Sequence, residues 1–220
     1  MPQTKDTFDS IANVYDRINN IISLGKHKKW KSNFINIAKF EGKVLDLATG
    51  TGDIISLIKD KYPNTDCTGI DPSIDMLRIA RKKYKEIKFI ESYAENLKYE
   101  DNYFDFVTIS FGIRNTVSIN DSLVEIRRVL KKNQLLLIME FSKNNNILLK
   151  IITNLYLFFV IPFVGLLFGK FREYLYLSKS INNFYSPREF VKILEKNSFE
   201  VEKYESFNFG LVTIYKAKKL

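Results

Sequence analysis

The sequence is poor in cysteine, in linker-like composition and in targeting signals, and each shortage excludes a class of protein. Cys67 is the single cysteine among 220 residues, so neither a disulfide framework nor a thiolate metal cluster can form within one chain. No Ser/Gly/Pro-rich linker or repeat divides the chain, which indicates one domain. Residues 1–10 carry no apolar run after a basic stretch, so we expect no secretory signal and a reducing cytoplasmic location.

The charge of the chain is unbalanced. There are 34 basic and 25 acidic residues, and the net charge of +9 is compatible with a nucleic acid partner or with peripheral contact to an anionic membrane. The basic residues are mostly lysine, which reads bases less well than arginine. Base-specific recognition therefore gains little support, and we expect no nucleic acid partner.

The order of the hydrophobic patterns predicts an α/β fold. Apolar residues at spacings of three and four from Phe8 to Ile22 predict one amphipathic helix, and a second helix is expected over residues 30–39. Strands and helices then alternate, which is typical of a doubly wound, mostly parallel sheet, and two closing strands around Gly210 predict an antiparallel end. The expected strands are 44–48, 66–70, 87–91, 104–110, 134–140, 199–205 and 211–216, with helices at 53–61, after a cap at Ser73, and at 119–130.

A glycine turn follows the first predicted strand. Gly50 and Gly52 lie between the strand that contains Asp46 and a helix that begins at Asp53, and such a turn lets a ligand approach the backbone. A dinucleotide fingerprint would need a third glycine at Ile55, and a P-loop would need a lysine after the last glycine. S-adenosylmethionine fits better, because its ammonium and sulfonium groups are cationic and Asp46 is acidic. A turn without a ligand remains the alternative.

Three further stretches lie at the predicted carboxyl edge of the sheet, where open α/β sheets bind ligands. Asp71 ends the second strand, 21 residues after Gly50, where a carboxylate can hold ribose hydroxyls, and its alternative role is to cap a helix. Tyr93 and Ala94 follow the third strand, where an adenine would lie, although packing at the surface would also explain the tyrosine. Ser110 begins a Ser-Phe-Gly-Ile-Arg-Asn stretch just past the fourth strand.

These stretches resemble the ubiquinone/menaquinone biosynthesis C-methyltransferase family over nearly the whole chain. The glycine loop is common to methyltransferases, whereas the N-terminal motif and the stretch after the fourth strand are more specific. The resemblance implies a seven-stranded sheet of the class I S-adenosylmethionine-dependent methyltransferase type with an antiparallel last strand. It also implies C-methylation of a prenylated quinol in menaquinone or ubiquinone biosynthesis. The matching stretches are 8–16, 45–53, 110–115, 140–143 and 174–181.

The expected cofactor is S-adenosylmethionine, and no metal is expected. The contacts that the resemblance implies for it fall on Thr51, Asp71, Tyr93, Ala94 and Ser110, and the loop residues Asp46, Gly50 and Gly52 complete the expected cofactor site. One departure from the family is the turn at 131–134, which lies away from the ligand edge.

We divide the single domain, 1–220, into four consecutive parts. These are a helical cover over 1–41, a cofactor-binding core over 42–143, an apolar helical insertion over 144–185, and a final helix with antiparallel strands over 186–220.

Methylation of a quinol carbon is easier after a hydroxyl proton is lost, and such hydroxyls have a pKa near ~10. Arg114 is the predicted stabiliser of the phenolate, because a guanidinium stays charged, and Asn115 would orient the hydroxyl or a water. A surface ion pair and a turn are the alternatives for these two residues. Tyr15 is expected over the cleft or packed within its helix. His27, the only histidine, lies among lysines, and we interpret it as part of a solvated basic face.

The stretch from Ile147 to Lys170 is the most apolar part of the chain and is long enough to cross a membrane. The strands on either side must join one sheet in one compartment, which disfavours spanning. We expect a helix that is broken near Pro162 and that covers a hydrophobic cleft. Core burial and binding of a prenyl chain both remain open, as do a homodimer and contact with the membrane.

Other functions are less well supported. A methyltransferase for another small or lipid-like molecule is the main alternative. RNA or DNA methylation is opposed by the lack of a placed nucleophilic cysteine and of a Pro-Pro turn after the fourth strand. A lipid-binding module without activity is opposed by the glycine loop and by Asp71. The choice between a naphthoquinol and a benzoquinol, and the length of the prenyl chain, stay open.

Overall fold

A seven-stranded sheet forms the centre of the molecule. The computed structural model describes residues 2–143 and 146–220, and the side chains of residues 2–4 are outside this description. Asn144 and Asn145, the first two residues of the predicted insertion, also lie outside it. The strands are β1 Lys43–Leu47, β2 Asp66–Asp71, β3 Lys88–Glu91, β4 Phe104–Ser110, β5 Leu130–Phe141, β6 Phe199–Phe207 and β7 Val212–Lys219.

The strand order is β3-β2-β1-β4-β5-β7-β6, with β1 to β5 parallel and β7 antiparallel to both of its neighbours. This confirms the predicted doubly wound sheet with an antiparallel end. The order reverses between β1 and β4, so their carboxyl ends open a crevice there. The helices are α1 Pro2–Ile11, α2 Tyr15–Ile22, α3 Lys26–Asn36, α4 Asp53–Lys61, α5 Ile74–Lys83, α6 Ile119–Val129, α7 Ile147–Leu155, α8 Ile161–Leu167, α9 Phe171–Asn183 and α10 Pro187–Lys196.

Side-chain alternation along the strands divides the core into two layers. Leu45 and Leu47 of β1 point to the layer formed with α6 and α10, whereas Val44 points to the layer formed with α3, α4 and α5. A third cluster joins α1, α2, α8 and α9 and includes the fully buried Ile18 and the nearly fully buried Tyr174. Its helices therefore form a hydrophobic cover beside the sheet.

Some predicted boundaries were wrong. The N-terminal helix is two helices, because a turn at 12–14 separates α1 from α2. The next helix begins at Lys26 rather than at residue 30, since the left-handed Gly25 starts it, and it ends at Asn36. Strand β5 begins at Leu130, four residues before the predicted start, and Asn133 takes the left-handed conformation where the family turn was expected.

The apolar insertion is not broken at Pro162. A π-helical turn at Tyr156–Val160 joins α7 to α8, and the three pieces form one 21-residue helix, Ile147–Leu167, that is long and apolar enough to cross a membrane. The proline lies in the first turn of α8. Its ring would clash with a carbonyl of the preceding α-helical turn, and the wider π turn avoids this clash.

Candidate active site

Two strained turns shape the crevice at the carboxyl ends of β1 and β4. Ala48 and Phe111 both have positive φ, at 49° and 53°, a conformation that side chains rarely adopt outside constrained sites. The turns touch at Gly112, where an added Cβ would lie 2.4 Å from the Cβ of Ala48. Glycine is therefore required there for the two loops to meet.

Asp71 holds the glycine loop in place. One of its oxygens accepts the Gly50 N–H at 2.9 Å, and the other accepts the Ser73 N–H at 2.8 Å. Burial raises the pKa of this carboxyl to about 6, against the opposing effect of the two backbone bonds. The predicted cap is confirmed at Ser73, whose Oγ accepts the Met76 N–H. Asp71 thus organises both the loop and the start of α5.

Asp46 lies beneath the loop rather than at its surface. It is 1% exposed, and its two oxygens accept hydrogen bonds from Thr49 Oγ1 at 2.7 Å and from Thr108 Oγ1 at 2.6 Å. Burial raises its pKa to about 7, while the two hydroxyls act in the opposite direction.

The free energy of unfolding should depend on the ionisation of Asp46. Because its pKa in the folded chain is raised from 3.8 to about 7, the native state binds more protons than the unfolded state within this window. Stability should fall as pH rises from about 4 to 7, and the contribution of Asp46 is on the order of 4 kcal/mol. Urea unfolding at several pH values would measure this in the wild type and in Asp46→Asn. Equal pH slopes in the two proteins would contradict it.

Two adjoining cavities open at the crevice. The smaller contains about 820 Å³ of empty space, including its mouth, and lies between the ends of β2, β3 and β4. The larger contains about 1190 Å³ and lies under α1, α2, α3, α8 and α9. Their shared wall is formed by Phe8, Tyr15, Ala48, Gly50, Ser110 and Phe111.

The structure brings most of the predicted cofactor residues together. The smaller cavity is lined by Gly50, Asp71, Tyr93, Ala94 and Ser110. Asn115 lines this cavity too, rather than the larger one.

Three predicted cofactor residues lie elsewhere. Thr51 lines the larger cavity and donates its hydroxyl to Asp16 of α2 at 3.0 Å. Gly52 and Asp46 line neither cavity. Gly52 has a φ of 86°, and an added Cβ would lie 3.0 Å from Phe89 and from Tyr84, so its role is close packing.

Ion pairs connect the helical cover to the end of α5 and to the start of α4. Lys83 contacts Asp16 at 2.6 Å, and Lys31 contacts Asp53 at 2.6 Å. Lys31 and Asp53 both line the larger cavity. Sequence reasoning missed this charged wall, because the partners are far apart in the chain and no local spacing links them.

Arg114 is a cavity residue that also takes part in a buried ion pair. Its Nη1 donates to Glu140 Oε1 at 2.5 Å and to the Phe111 carbonyl at 2.7 Å, and its Nε donates to Ser180 Oγ at 3.3 Å. The side chains of Arg114 and Glu140 are 4% and 0% exposed. The pair is internal, unlike the surface ion pair considered from the sequence, and Arg114 still lines the larger cavity.

Two tyrosines, Tyr15 and Tyr174, line the larger cavity. Burial raises the pKa of Tyr15 to about 12, although Asn19 and the charge of Arg114 act in the opposite direction. Burial also raises the pKa of Tyr174 well above its usual value. The hydroxyl of Tyr174 is buried and has no hydrogen-bond partner among the residues that the structure describes. Because this hydroxyl has almost no accessible surface, it can reach a ligand in the cavity only if the side chain turns.

The interpretation of His27 as part of a solvated face was wrong. The side chain is half-buried and lines the larger cavity, and a 2.7 Å hydrogen bond joins its Nδ1 to Ser23 Oγ. Burial and the charges of Lys31 and Lys28 lower its pKa, while Asp53 and Asp16 oppose them. The imidazole is therefore neutral at pH 7. The periodicity of α3 carried the necessary signal, because His27 and Trp30 are three residues apart and share a helix face.

The fold is that of solved structures described as S-adenosylmethionine-dependent methyltransferases. A Thermotoga maritima structure described as an S-adenosylmethionine-dependent methyltransferase, a possible histamine N-methyltransferase, superposes with a TM-score of 0.69 at 20% identity, covering 99% of this chain and 100% of that one. The cyclase SpnF superposes with a TM-score of 0.71 at 15% identity, covering 98% and 96%. A fold shared by proteins with such different descriptions does not by itself identify a substrate.

The sequence comparisons identify the family. Residues 2–219 match the ubiE/COQ5 methyltransferase family, and the chain belongs to it. A demethylmenaquinone methyltransferase of Thermotoga maritima is 41% identical over 94% of this chain and 92% of its own length. A ubiquinone/menaquinone biosynthesis C-methyltransferase of Rickettsia bellii is 38% identical over 97% and 91%.

Proposed function

We propose that this protein transfers a methyl group from S-adenosylmethionine to a ring carbon of a prenylated quinol in menaquinone or ubiquinone biosynthesis. The observation that carries the proposal is the shared wall between the two cavities. A cavity whose lining includes Asp71, Glu95 and Gly50 shares this wall with a larger, largely apolar and aromatic cavity. The names of the two relatives, a demethylmenaquinone methyltransferase and a ubiquinone/menaquinone biosynthesis C-methyltransferase, indicate the substrate class. The reaction would take place in the cytoplasm.

The residues around the smaller cavity fit the cofactor. Asp71 offers a carboxylate to ribose hydroxyls, and Tyr93 with Ala94 offers a surface for adenine. An added Cβ at Gly50 would meet nothing within 4 Å, so the loop leaves open space for a ligand beside its backbone. When bound, the cofactor supplies an electrophilic methyl group on a sulfonium.

The residues of the larger cavity would have different roles in the reaction of the quinol. Arg114 would stabilise negative charge on one ring oxygen, and the hydroxyl of Tyr174, after its side chain turns toward the cavity, would hydrogen-bond to either ring oxygen. His27 would accept the hydroxyl proton, directly or through a water, at Nε2. Its Nδ1–H would then donate to Ser23 Oγ, which leaves the lone pair on Nε2. Tyr15, in the wall between the cavities, would hold the ring against the methyl donor.

A direct assay would test the function. Purified protein with S-adenosylmethionine should convert 2-prenyl-1,4-naphthoquinol or a prenylated benzoquinol into a product one methylene heavier, with the new methyl on a ring carbon. Nuclear magnetic resonance of the product identifies the methylated atom, and the two quinols identify the preferred ring. Quinones extracted from cells with and without the gene should differ in the same way. Transfer to oxygen or nitrogen, or no transfer by folded protein, would contradict the proposal.

Loss of the Asp71 carboxylate should weaken cofactor binding. Asp71→Ala removes both a charged partner for ribose and the support of Gly50, and an unmade hydrogen bond to a charged group costs ~1.5–3 kcal/mol. The dissociation constant should rise about 10- to 150-fold. Because burial raises the pKa of Asp71 to about 6, wild-type affinity should also increase from pH 5 to pH 8.

Isothermal titration calorimetry measures both effects. Asp75→Asn provides a matched control, since it removes a charge at the partly exposed start of α5, where Asp75 pairs with Arg78. Unchanged affinity in folded Asp71→Ala protein would exclude the ribose contact.

A further inference from the structure

The helix that α7, the π turn and α8 form has one apolar face that nothing in the described chain covers. Phe159 is 69% exposed, Leu167 is 69% exposed and Leu148 is 68% exposed. Monomeric soluble proteins rarely expose an apolar patch of this size without a partner. The other large exposed side chains of this helix are Ile147, Ile151, Ile152, Leu155, Val160, Phe163 and Leu166.

The opposite face of the same helix is packed against the domain. Leu157 and Ile161 are buried in the third hydrophobic cluster, and Gly165 lies so close to α9 that an added Cβ would be 2.7 Å from the Cβ of Tyr174. The Tyr156 hydroxyl donates to the Ile22 carbonyl of α2. A helix that crossed a bilayer would lose these contacts. The geometry is that of a helix lying in the plane of an interface.

The charges along this surface are mainly basic. Residues 17–40, which contain α3 and α2 from its third residue onward, and residues 146–172 carry nine basic residues and no acidic one, whereas the adjoining Asp16 and Glu173 are acidic. These nine account for the whole net charge of +9, since the rest of the chain has 25 residues of each sign. The two segments meet where the Arg17 guanidinium lies 5.6 Å from the Phe168 ring centroid. The turn between α2 and α3 adds the 79%-exposed Leu24 beside Lys26 and Lys28.

The larger cavity lies directly behind this surface. Ile22, Ser23 and His27 on one side and Tyr156, Leu157 and Ile161 on the other line its wall. These are residues of the same two segments, so an opening between the segments would lead from the apolar surface into the cavity. A prenylated molecule dissolved in a bilayer would not have to cross water along this route.

We propose that this surface docks the protein on an anionic lipid bilayer, with the apolar face of Ile147–Leu167 among the upper acyl chains and the lysines of the α2–α3 turn at the head groups. Anionic lipid attracts each nearby lysine by about 1 kcal/mol. A second copy of the chain is a poorer occupant, because an isologous contact would oppose two basic segments. Docking itself is independent of the quinol reaction, whereas the entry route for a prenyl chain rests on the proposed function.

Vesicle co-sedimentation of the full chain without cofactor or substrate tests the docking. The wild type should bind vesicles of phosphatidylcholine with phosphatidylglycerol and bind phosphatidylcholine alone much more weakly, and salt should reduce the binding. Phe159→Ser with Leu167→Ser should weaken binding at least tenfold. Lys28→Gln with Lys29→Gln should weaken it about fivefold per lysine. Matched controls that should retain binding are Val124→Ser, an exposed apolar residue of α6, and Lys82→Gln with Lys85→Gln.

Two further measurements separate the alternatives. All substituted residues are exposed, so circular dichroism should report an unchanged fold and melting temperature. Sedimentation velocity should give the same oligomeric state for the wild type and for Phe159→Ser/Leu167→Ser. A dimer that this variant dissociates would assign the surface to a second copy and overturn the proposal. Equal binding of all variants, or no binding to anionic vesicles, would also overturn it. Because binding is measured without turnover, the result stands whatever the quinol assay gives.

Discussion

Arg114→Ala should lower the free energy of unfolding by about 3–5 kcal/mol, because it leaves a buried carboxylate without its partner. Glu140 is fully buried, and Arg114 Nη1 is its ion-pair partner at 2.5 Å. The same substitution also loosens the turn after β4, since Nη1 holds the Phe111 carbonyl. Urea unfolding would measure the loss. A change below about 1 kcal/mol would mean that Glu140 is protonated or finds another partner.

A double substitution separates this structural role from the chemistry. Arg114→Met with Glu140→Leu replaces the buried pair by apolar groups of similar volume, which is often neutral for stability. If Arg114 also stabilises the phenolate, this stable protein should still show a kcat reduced about 100-fold or more, with cofactor affinity retained. Arg114→Lys keeps a charge but not the planar guanidinium group, and its kcat should lie between those of the wild type and of the double variant. Near-normal turnover in the double variant would make Arg114 purely structural.

His27→Gln should lower kcat/KM about 100-fold or more, because a placed general base contributes ~10²–10⁴ to a rate. Glutamine keeps a hydrogen-bonding group near Ser23 but accepts no proton. In the wild type the imidazole must be neutral to act, and burial with the nearby Lys31 lowers its pKa. Activity should therefore rise with pH through a limb below about pH 6.5 and level off above it.

The pH profile distinguishes a base from a packing residue. In His27→Gln the acidic limb due to the imidazole should disappear, and the remaining rate should increase towards the pKa of the free quinol near ~10. Ser23→Ala provides a comparison, since it removes only the partner of Nδ1 and should reduce kcat less. A uniform loss across the pH range, with the limb retained, would show that His27 acts only through packing. Burial raises the pKa of Asp46 to about 7 and that of Asp71 to about 6, so the profiles are compared at saturating cofactor.

The cofactor half of the site was more predictable than the substrate half. The carboxyl ends of parallel strands must meet at one edge of a sheet. Residues at or just after such ends are Gly50, Asp71, Tyr93, Ala94 and Ser110. Their meeting therefore follows from the alternation of strands and helices alone.

The substrate half is built by helices that come together only in the folded chain. His27, Arg114 and Tyr174 are separated by long stretches of sequence, and no local sequence pattern predicts that they line the same cavity. The N-terminal periodicity even predicted one helix where two occur, because the turn at 12–14 preserves the spacing of the apolar residues. The ion pair between Arg114 and Glu140 could not be predicted from the sequence either, since Arg114 follows β4 and Glu140 lies within β5.

By itself the sequence determined the α/β class, the antiparallel end, the glycine loop and the family, because each depends on local periodicity or on short runs of residues. The tertiary structure decided which charges are buried, as for Asp46 and Glu140, and which side chains line the larger cavity. It also decided that the apolar helix Ile147–Leu167 packs against the domain along one face and exposes the opposite face. Which side chains are buried, and which hydrogen-bond or ion-pair partners they have, depends on elements that are distant in the chain. The amino-acid composition does not show which face of a helix those elements cover.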